Sequence, residues 1–417
     1  MTMASIKQAE QQYDVGGVLL ERPFQITRLG HFGLTLAKFE EGVRFYTEIL
    51  GFRISERQDV AQNAPAVVRP LIKMIKDRDV VMLRHNTEHH TLVLISTSVN
   101  DLGERILRKR NPVKEITTNQ ITWQVGSLAE VVNGRDYFAA RGIRVLIAGR
   151  DMPGSNWHCY IEDSEGRANE IYYGIEQIGW DGRSKPTTLY QRIEKPPELP
   201  QPSEWQEIDD AAAAGVDLTA GHRDIETLPP VHEVDGILMS RPFKITRIGP
   251  VGLLVEDAER ALQFYRDSMG FVETERVPVG ESQIIYLRNN TEHHSLALVP
   301  IELRDKLGLS AHSTLAWFGL QLGNYRQLRR AIDFLRERGV TVRDDLTPGV
   351  HPGIDHAVWA FDPDGHCLLL YWSMDQVGWN GETRGARAPA GPVSTWPDQV
   401  PGRSDAFNGQ VFLGPLA

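Results

Sequence analysis

The sequence predicts an α+β fold made by tandem duplication, in which each half is a pair of βαβββ modules forming curled mixed sheets. Two observations carry this. First, RPFQITRLGHFGLTL (22–36) returns as RPFKITRIGPVGLLV (241–255), LRHNTEHHTLVLI (83–95) as LRNNTEHHSLALV (287–299), and GIEQIGWDG (174–182) as SMDQVGWNG (373–381). Matched segments in the same order over about 160 residues mark a duplicated unit. Second, the order of strand-like and helix-like segments restarts halfway along each copy.

The elements follow in order. ITRLGHFGLTL alternates as a half-buried strand does. FEEGVRFYTEILGF places Val43, Phe45, Tyr46, Ile49 and Leu50 at helical spacing and stops at Gly51. FRISERQ, VVMLRH and HTLVLIS read as strands. The order then restarts with QITWQVGS as a strand, LAEVVNGRDYFAARG as a helix, and RVLIAG, HCYIED and NEIYYG as strands. The second copy repeats this with TLAWFGLQLG, NYRQLRRAIDFLRERG, VTVRD, HAVWAFD and CLLLYW, and largely lacks the counterpart of 58–78.

The domains expected are an N-terminal extension (1–21), a first paired module (22–181), a linker (182–235), a second paired module (236–381) and a C-terminal tail (382–417). The linker contains KPPELPQP and then EWQEIDDAAAAG, which suggests a stiff connection with one short helix. A chain of 417 residues is too long for one ordinary core. No apolar run is long enough for a membrane span, and the polar start lacks a signal-peptide pattern. Cys159 and Cys367, the two cysteines, build no disulfide framework. These features point to a cytoplasmic protein. A net charge of -10 argues against nucleic-acid binding. Open sheet edges make a homo-oligomer plausible.

The module order, the LR-x-N-T-E-HH-[ST]-L strand, and TPGVHPGIDHAVWAFDPDGH leading into CLLLYW resemble the vicinal oxygen chelate superfamily, which includes glyoxalases and type I extradiol dioxygenases. The resemblance is strongest to the extradiol branch and covers about three quarters of the chain, sparing the linker and tails. It implies a divalent metal, iron(II) first and manganese or zinc as alternatives, held in one domain. It also implies a catechol-like substrate and dioxygen. Two imidazoles and a carboxylate on one face hold iron(II) and leave positions open.

Carried over position by position, the resemblance places the metal ligands on His31, Gln120 and Glu170. The second-copy equivalents are Pro250, Trp317 and Leu369, none of them a ligand, so the active site is expected in the first domain. Gln120 stands where extradiol enzymes carry histidine, although glutamine is an accepted ligand in some glyoxalases. Tyr160 falls at the position of a tyrosine that hydrogen-bonds substrate. His158 shares its strand face by period-two alternation, as a replacement ligand or an acid/base. An isolated His31 or Tyr160 has a structural reading too, and Gln120 one as a substrate contact, but a carboxylate such as Glu170 among apolar neighbours needs a partner.

The pairs His89–His90 and His293–His294 read as structural, because neighbours on a regular strand face opposite sides. His351 and His356 read as remnants or interface residues, and Trp180 and Trp379 as packing residues. Three functions remain: a metal-dependent ring-cleaving dioxygenase, a non-oxidative isomerase, lyase or hydrolase using the same metal cup, and a metal-free pocket for an aromatic ligand.

Overall fold

A computed structural model describes residues 12–107, 117–151, 157–178, 181–190, 193–195, 198–347, 349–377, 381–384 and 391–400. Trp180 and Trp379 lie outside the described residues. The first sheet has eight strands: β1 (Ile26–Leu36), β2 (Arg53–Asp59), β3 (Asp79–Arg84), β4 (Leu92–Ser96), β5 (Thr118–Val125), β6 (Val145–Gly149), β7 (Trp157–Glu162) and β8 (Ala168–Tyr173). Their spatial order is β2-β3-β4-β1-β5-β8-β7-β6. The β1–β4 and β5–β8 pairs are parallel and the rest antiparallel. This is βαβββ used twice, joined where β1 meets β5.

The second sheet repeats the order with β9 (Ile245–Val255), β10 (Val272–Val279), β11 (Ser282–Arg288), β12 (Leu296–Pro300), β13 (Leu315–Leu322), β14 (Val342–Arg343), β15 (Ala357–Phe361) and β16 (Cys367–Tyr371). The α+β class and the tandem pairing expected from the repeat are therefore present. A helix follows the first strand of every unit. Leu128–Ala140 starts at Ser127, whose side chain accepts from the Glu130 amide, and Tyr325–Glu337 starts likewise at Asn324. The first-unit helices change to π geometry in their last turns, at Phe45–Ile49 and Phe264–Ser268.

The duplication reaches further upstream than residue 22. A hairpin of Tyr13–Val15 and Val18–Leu20 precedes the first sheet, and its twin, His232–Val234 and Ile237–Met239, precedes the second. The second hairpin begins inside the stretch read as linker. The rest of that stretch includes the helix Glu204–Ala213 and lies on the first domain. With few apolar anchors, it is held there by a backbone bridge between Arg150 and Ile193, by the Arg150–Glu207 ion pair and by Asp224, which accepts the Ile54 amide, while a bridge between Arg183 and Arg223 ties the segment to itself.

One face of each sheet packs on helices and on the other domain. A single apolar cluster runs through both, with Phe32 stacked on Phe318 at 4.9 Å and Trp123 edge-on to Phe271 at 4.8 Å. The domains also exchange equivalent hydrogen bonds. Tyr46 donates to Asp362 and Tyr265 to Asp163, both at 3.1 Å. Asp364 accepts the Ala37 and Lys38 amides, and Glu165 accepts those of Glu256 and Asp257. The remaining face of each sheet lines a cup, and there the two copies diverge.

Candidate active site

Alternation along β1, β5, β7 and β8 sends one set of side chains to the core and the other into the first cup. Ile121, Trp123, Cys159, Ile161 and Ile171 go to the core. The cross-strand register aligns His31 with Thr122, Thr122 with Glu170, and Glu170 with Tyr160, a row across four neighbouring strands. Gln120 stands one step along β5, opposite Gly33. A Cβ on Gly33 would sit 2.8 Å from Gln120 Cγ, so glycine there lets the amide side chain fold over β1.

Three donors converge on one oxygen. Glu170 Oε2 lies 2.8 Å from Thr122 Oγ1, 3.2 Å from His31 Nε2 and 3.5 Å from Gln120 Nε2. Glu170 is 0% exposed and His31 1%. Burial pushes the Glu170 carboxyl up, but the His31 and His158 imidazoles and the Thr122 hydroxyl outweigh it and hold the group below its ordinary value. The carboxylate is thus ionised in an enclosed place, the state a cation needs. Tyr160 donates to Gln120 Oε1 at 3.3 Å, and its ring meets that of His158 at 5.0 Å. All five residues singled out from the sequence therefore line one cup.

His31 Nδ1 is buried and makes no hydrogen bond. Its ring packs edge-on against His90 at 4.3 Å and tilted against Tyr172 at 5.1 Å. A Cβ on Gly30 would fall 2.1 Å from the Tyr172 hydroxyl, so glycine leaves room for that ring. His90 Nδ1 is 3.0 Å from His89 Nδ1, and His89 Nε2 is 3.6 Å from Glu56. A line of imidazoles thus runs from the cup to a second buried carboxyl. Burial pushes His89 down to about 3 and His90 well below the usual imidazole range, which leaves both neutral. Burial, with Glu176 and Asp151 adding like charge, pushes Glu56 up to about 7.

The sequence reading missed Thr122 and His90. Thr122 was findable, since it shares the β5 face with Gln120. His90 was not, because His89 and His90 lie just before β4 rather than in a regular strand. The alternation that separates strand neighbours does not apply there, and the two rings meet.

Whether these residues suit a metal is a question of donor chemistry. Among the described residues, no group of three or more His, Cys, Asp or Glu side chains is disposed to hold an ion. His158 faces the same cup without completing such a set. The side chains that meet are one imidazole, one ionised and enclosed carboxylate, and one amide that turns its Nε2 to Glu170 and its Oε1 to Tyr160. This set fits a divalent cation only with the amide turned so that Oε1 becomes the neutral third ligand.

In the second cup, register places Gly319 beside Leu369 and Leu369 beside Trp359, while Trp317 stands opposite Gly252. Trp317, Leu369 and Trp359 are buried in an apolar cluster that fills the cup. His351 accepts from Trp359 Nε1 at 2.8 Å and is held neutral, its pKa pushed by burial down to about 3. His356 packs between Tyr325 and Trp396. Neither faces the first cup.

The glyoxalase/bleomycin resistance protein/dioxygenase superfamily model matches residues 28–171 and 247–369, more than half of the chain. The chain belongs to this superfamily. No curated protein sequence matches it. In fold it is similar to BphC, a halotolerant catechol dioxygenase, with 15% identity, TM-score 0.55, and coverage of 89% of this chain and 96% of that one. It is also similar to the 2,3-dioxygenase LapB from Pseudomonas sp. KL28, at 16% identity, TM-score 0.54, and 86% and 96% coverage. A Mn(II)-bound glyoxalase from Novosphingobium aromaticivorans matches at 14% identity, TM-score 0.51, and 90% and 96% coverage. The tandem two-domain arrangement expected from the repeat is thus shared along nearly the whole length of these structures.

Proposed function

We propose that the first domain is the active site of a metal-dependent enzyme of the extradiol-dioxygenase type, which opens the ring of a catechol-like substrate with dioxygen. The observation that carries this reading is the convergence of His31 on one oxygen of the buried, ionised Glu170 beside the Gln120 amide. These three side chains would hold the ion, iron(II) in the first instance, Gln120 through its Oε1 after a turn of the amide that now presents Nε2 to Glu170. When bound, a divalent ion supplies a Lewis acid that lowers the pKa of adjacent substrate oxygens and a template that gathers the reactants.

The chain's own residues account for the rest. Thr122 fixes the Glu170 carboxylate by donating to Oε2, which orients it without adding charge. Rings of His90 and Tyr172 fix the His31 plane and close its inner side to water. Tyr160 is half-buried at the cup face and presents a hydroxyl to a substrate oxygen. His158, two positions away on the same face, accepts or returns a proton there.

A second reading draws on one observation, the amide at the third position. Being neutral and a weaker donor than imidazole, Gln120 suits a redox-inert ion and enolate chemistry in an isomerase, lyase or hydrolase. The deciding experiment is elemental analysis of anaerobically purified wild-type protein and His31→Ala, followed by a catechol screen. About one iron per chain, lost in the variant, with dioxygen uptake on a catechol supports ring cleavage. Another stoichiometric ion with oxygen-independent turnover supports the second reading. Absence of metal from both proteins overturns both and leaves a metal-free pocket for an aromatic ligand.

A further inference from the structure

A second site lies away from the cup. A cleft of about 680 Å³ opens between the first domain and the segment leading into the second. Its lining includes the apolar Leu50, Leu228, Leu238 and Met239, of which Leu238 is exposed at the rim. It also includes Arg53, Arg84, Arg241 and Lys244. Glu226 answers two of these cations, at 3.0 Å from Arg53 and 2.7 Å from Arg241. Arg241 is further engaged by the carbonyls of Thr47 and Glu48.

Arg84 and Lys244 form no ion pair among the described residues. The Arg84 guanidinium donates to the Asn86 carbonyl at 3.2 Å, while its Nε is buried and makes no hydrogen bond. Burial lowers the Arg84 pKa, Arg53 lowers it further, and Asp224 offsets them in part. Asp224 itself accepts the Ile54 amide. Cations that repel one another beside apolar side chains are stabilised by an anion placed among them.

The duplication supplies an internal control. The twin positions in the other half of the chain are Gln25 for Lys244, Val272 for Arg53, Arg288 for Arg84 and Arg22 for Arg241. Two of the four cations are therefore present on one side only. A role in the shared fold does not account for them, because the twin hairpin and twin strands form without them.

We propose that this cleft is a binding site for a small organic anion, in which a carboxylate or phosphate group sits among Arg53, Arg84 and Lys244 while an apolar body lies on Leu228, Leu238 and Met239. The site is independent of the metal cup. Phenyl phosphate and phenylacetate test the two anion sources, titrated calorimetrically into the full-length protein at constant ionic strength, with inorganic phosphate as the group without an apolar body. Saturable binding of either aryl anion, tighter than inorganic phosphate, is expected and tells which source the site prefers. The double variant Arg53→Val, Lys244→Gln converts the cleft to the composition of its twin and should weaken binding at least about tenfold. Should that variant not fold, the exposed single Lys244→Gln should still weaken binding about threefold. The proposal is overturned by no saturable binding up to about 10 mM, by affinity unchanged in the variants, or by inorganic phosphate binding as tightly as the aryl anions.

Discussion

Replacing Glu56 with glutamine should stabilise the protein, and only above mildly acidic pH. The Glu56 side chain is 7% exposed, its Oε1 is buried and makes no hydrogen bond, and its nearest cationic candidate, His89, is held neutral at 3.6 Å. Its carboxyl titrates at about 7 when folded, against 4.5 ordinarily. Between those values the unfolded chain has released the proton that the folded chain still holds. The folded state binds more protons, so stability falls as pH rises through this window. Above pH 7 the full gap acts against folding, about 3 kcal/mol. Glu56→Gln removes that penalty. Less the imperfect hydrogen bonding of a buried amide, it should gain about 1–3 kcal/mol at pH 8 and close to nothing at pH 4. Thermal or urea melts of wild type and variant at both pH values measure the difference, which should be about 1–3 °C at pH 8 for a chain of this length. A stability difference of the same size at pH 4 and pH 8 would refute the argument, because it would show that folding leaves the Glu56 pKa unshifted.

Three further outcomes follow from the geometry. Gly33→Ala places a methyl group 2.8 Å from Gln120 Cγ and should cost about 1–3 kcal/mol. It should also weaken metal retention more than Thr122→Val, which dialysis followed by elemental analysis compares. Trp317→Ala empties part of the second cup and should destabilise by about 3–5 kcal/mol in denaturant titration while leaving metal content unchanged. Tyr46→Phe removes one interdomain hydrogen bond and Tyr265→Phe two, because the Tyr265 hydroxyl donates to Asp163 and accepts from Asn169. Tyr46→Phe should cost about 1 kcal/mol and Tyr265→Phe about 2, and the double variant should show their sum, since the bonds lie in separate networks.

The repeat and two alternating periods made the fold legible, because strand alternation and helix spacing are local properties that duplication displays twice. The cup was legible to the same depth. His31, Gln120 and Glu170 lie on three neighbouring strands, and sheet register alone brings them together. Register was not written in any one segment for His89 and His90, where irregular backbone replaces the strand. The hairpin at Tyr13–Leu20 was missed although YDVGGVLL and HEVDGILM share its Val, Gly and Leu/Met pattern, because three-residue strands are too short to carry a period. The linker's attachment was hidden for a different reason. It rests on a backbone bridge and on Arg150–Glu207, and pairings across 57 residues leave no mark in local composition.

The reciprocal bonds between the halves, Tyr46 with Asp362 and Tyr265 with Asp163, are those that two copies of one half-length chain would exchange across a two-fold axis. The molecule thus has the form of a two-fold dimer whose subunits are joined end to end. In a single chain the inside of the second cup is free to diverge, while its outer surface must still mate with the first domain. Trp317 and Leu369 accordingly fill that cup, and the outside stays legible as a repeat. By the same logic, halves cut within the linker and co-expressed should find each other again.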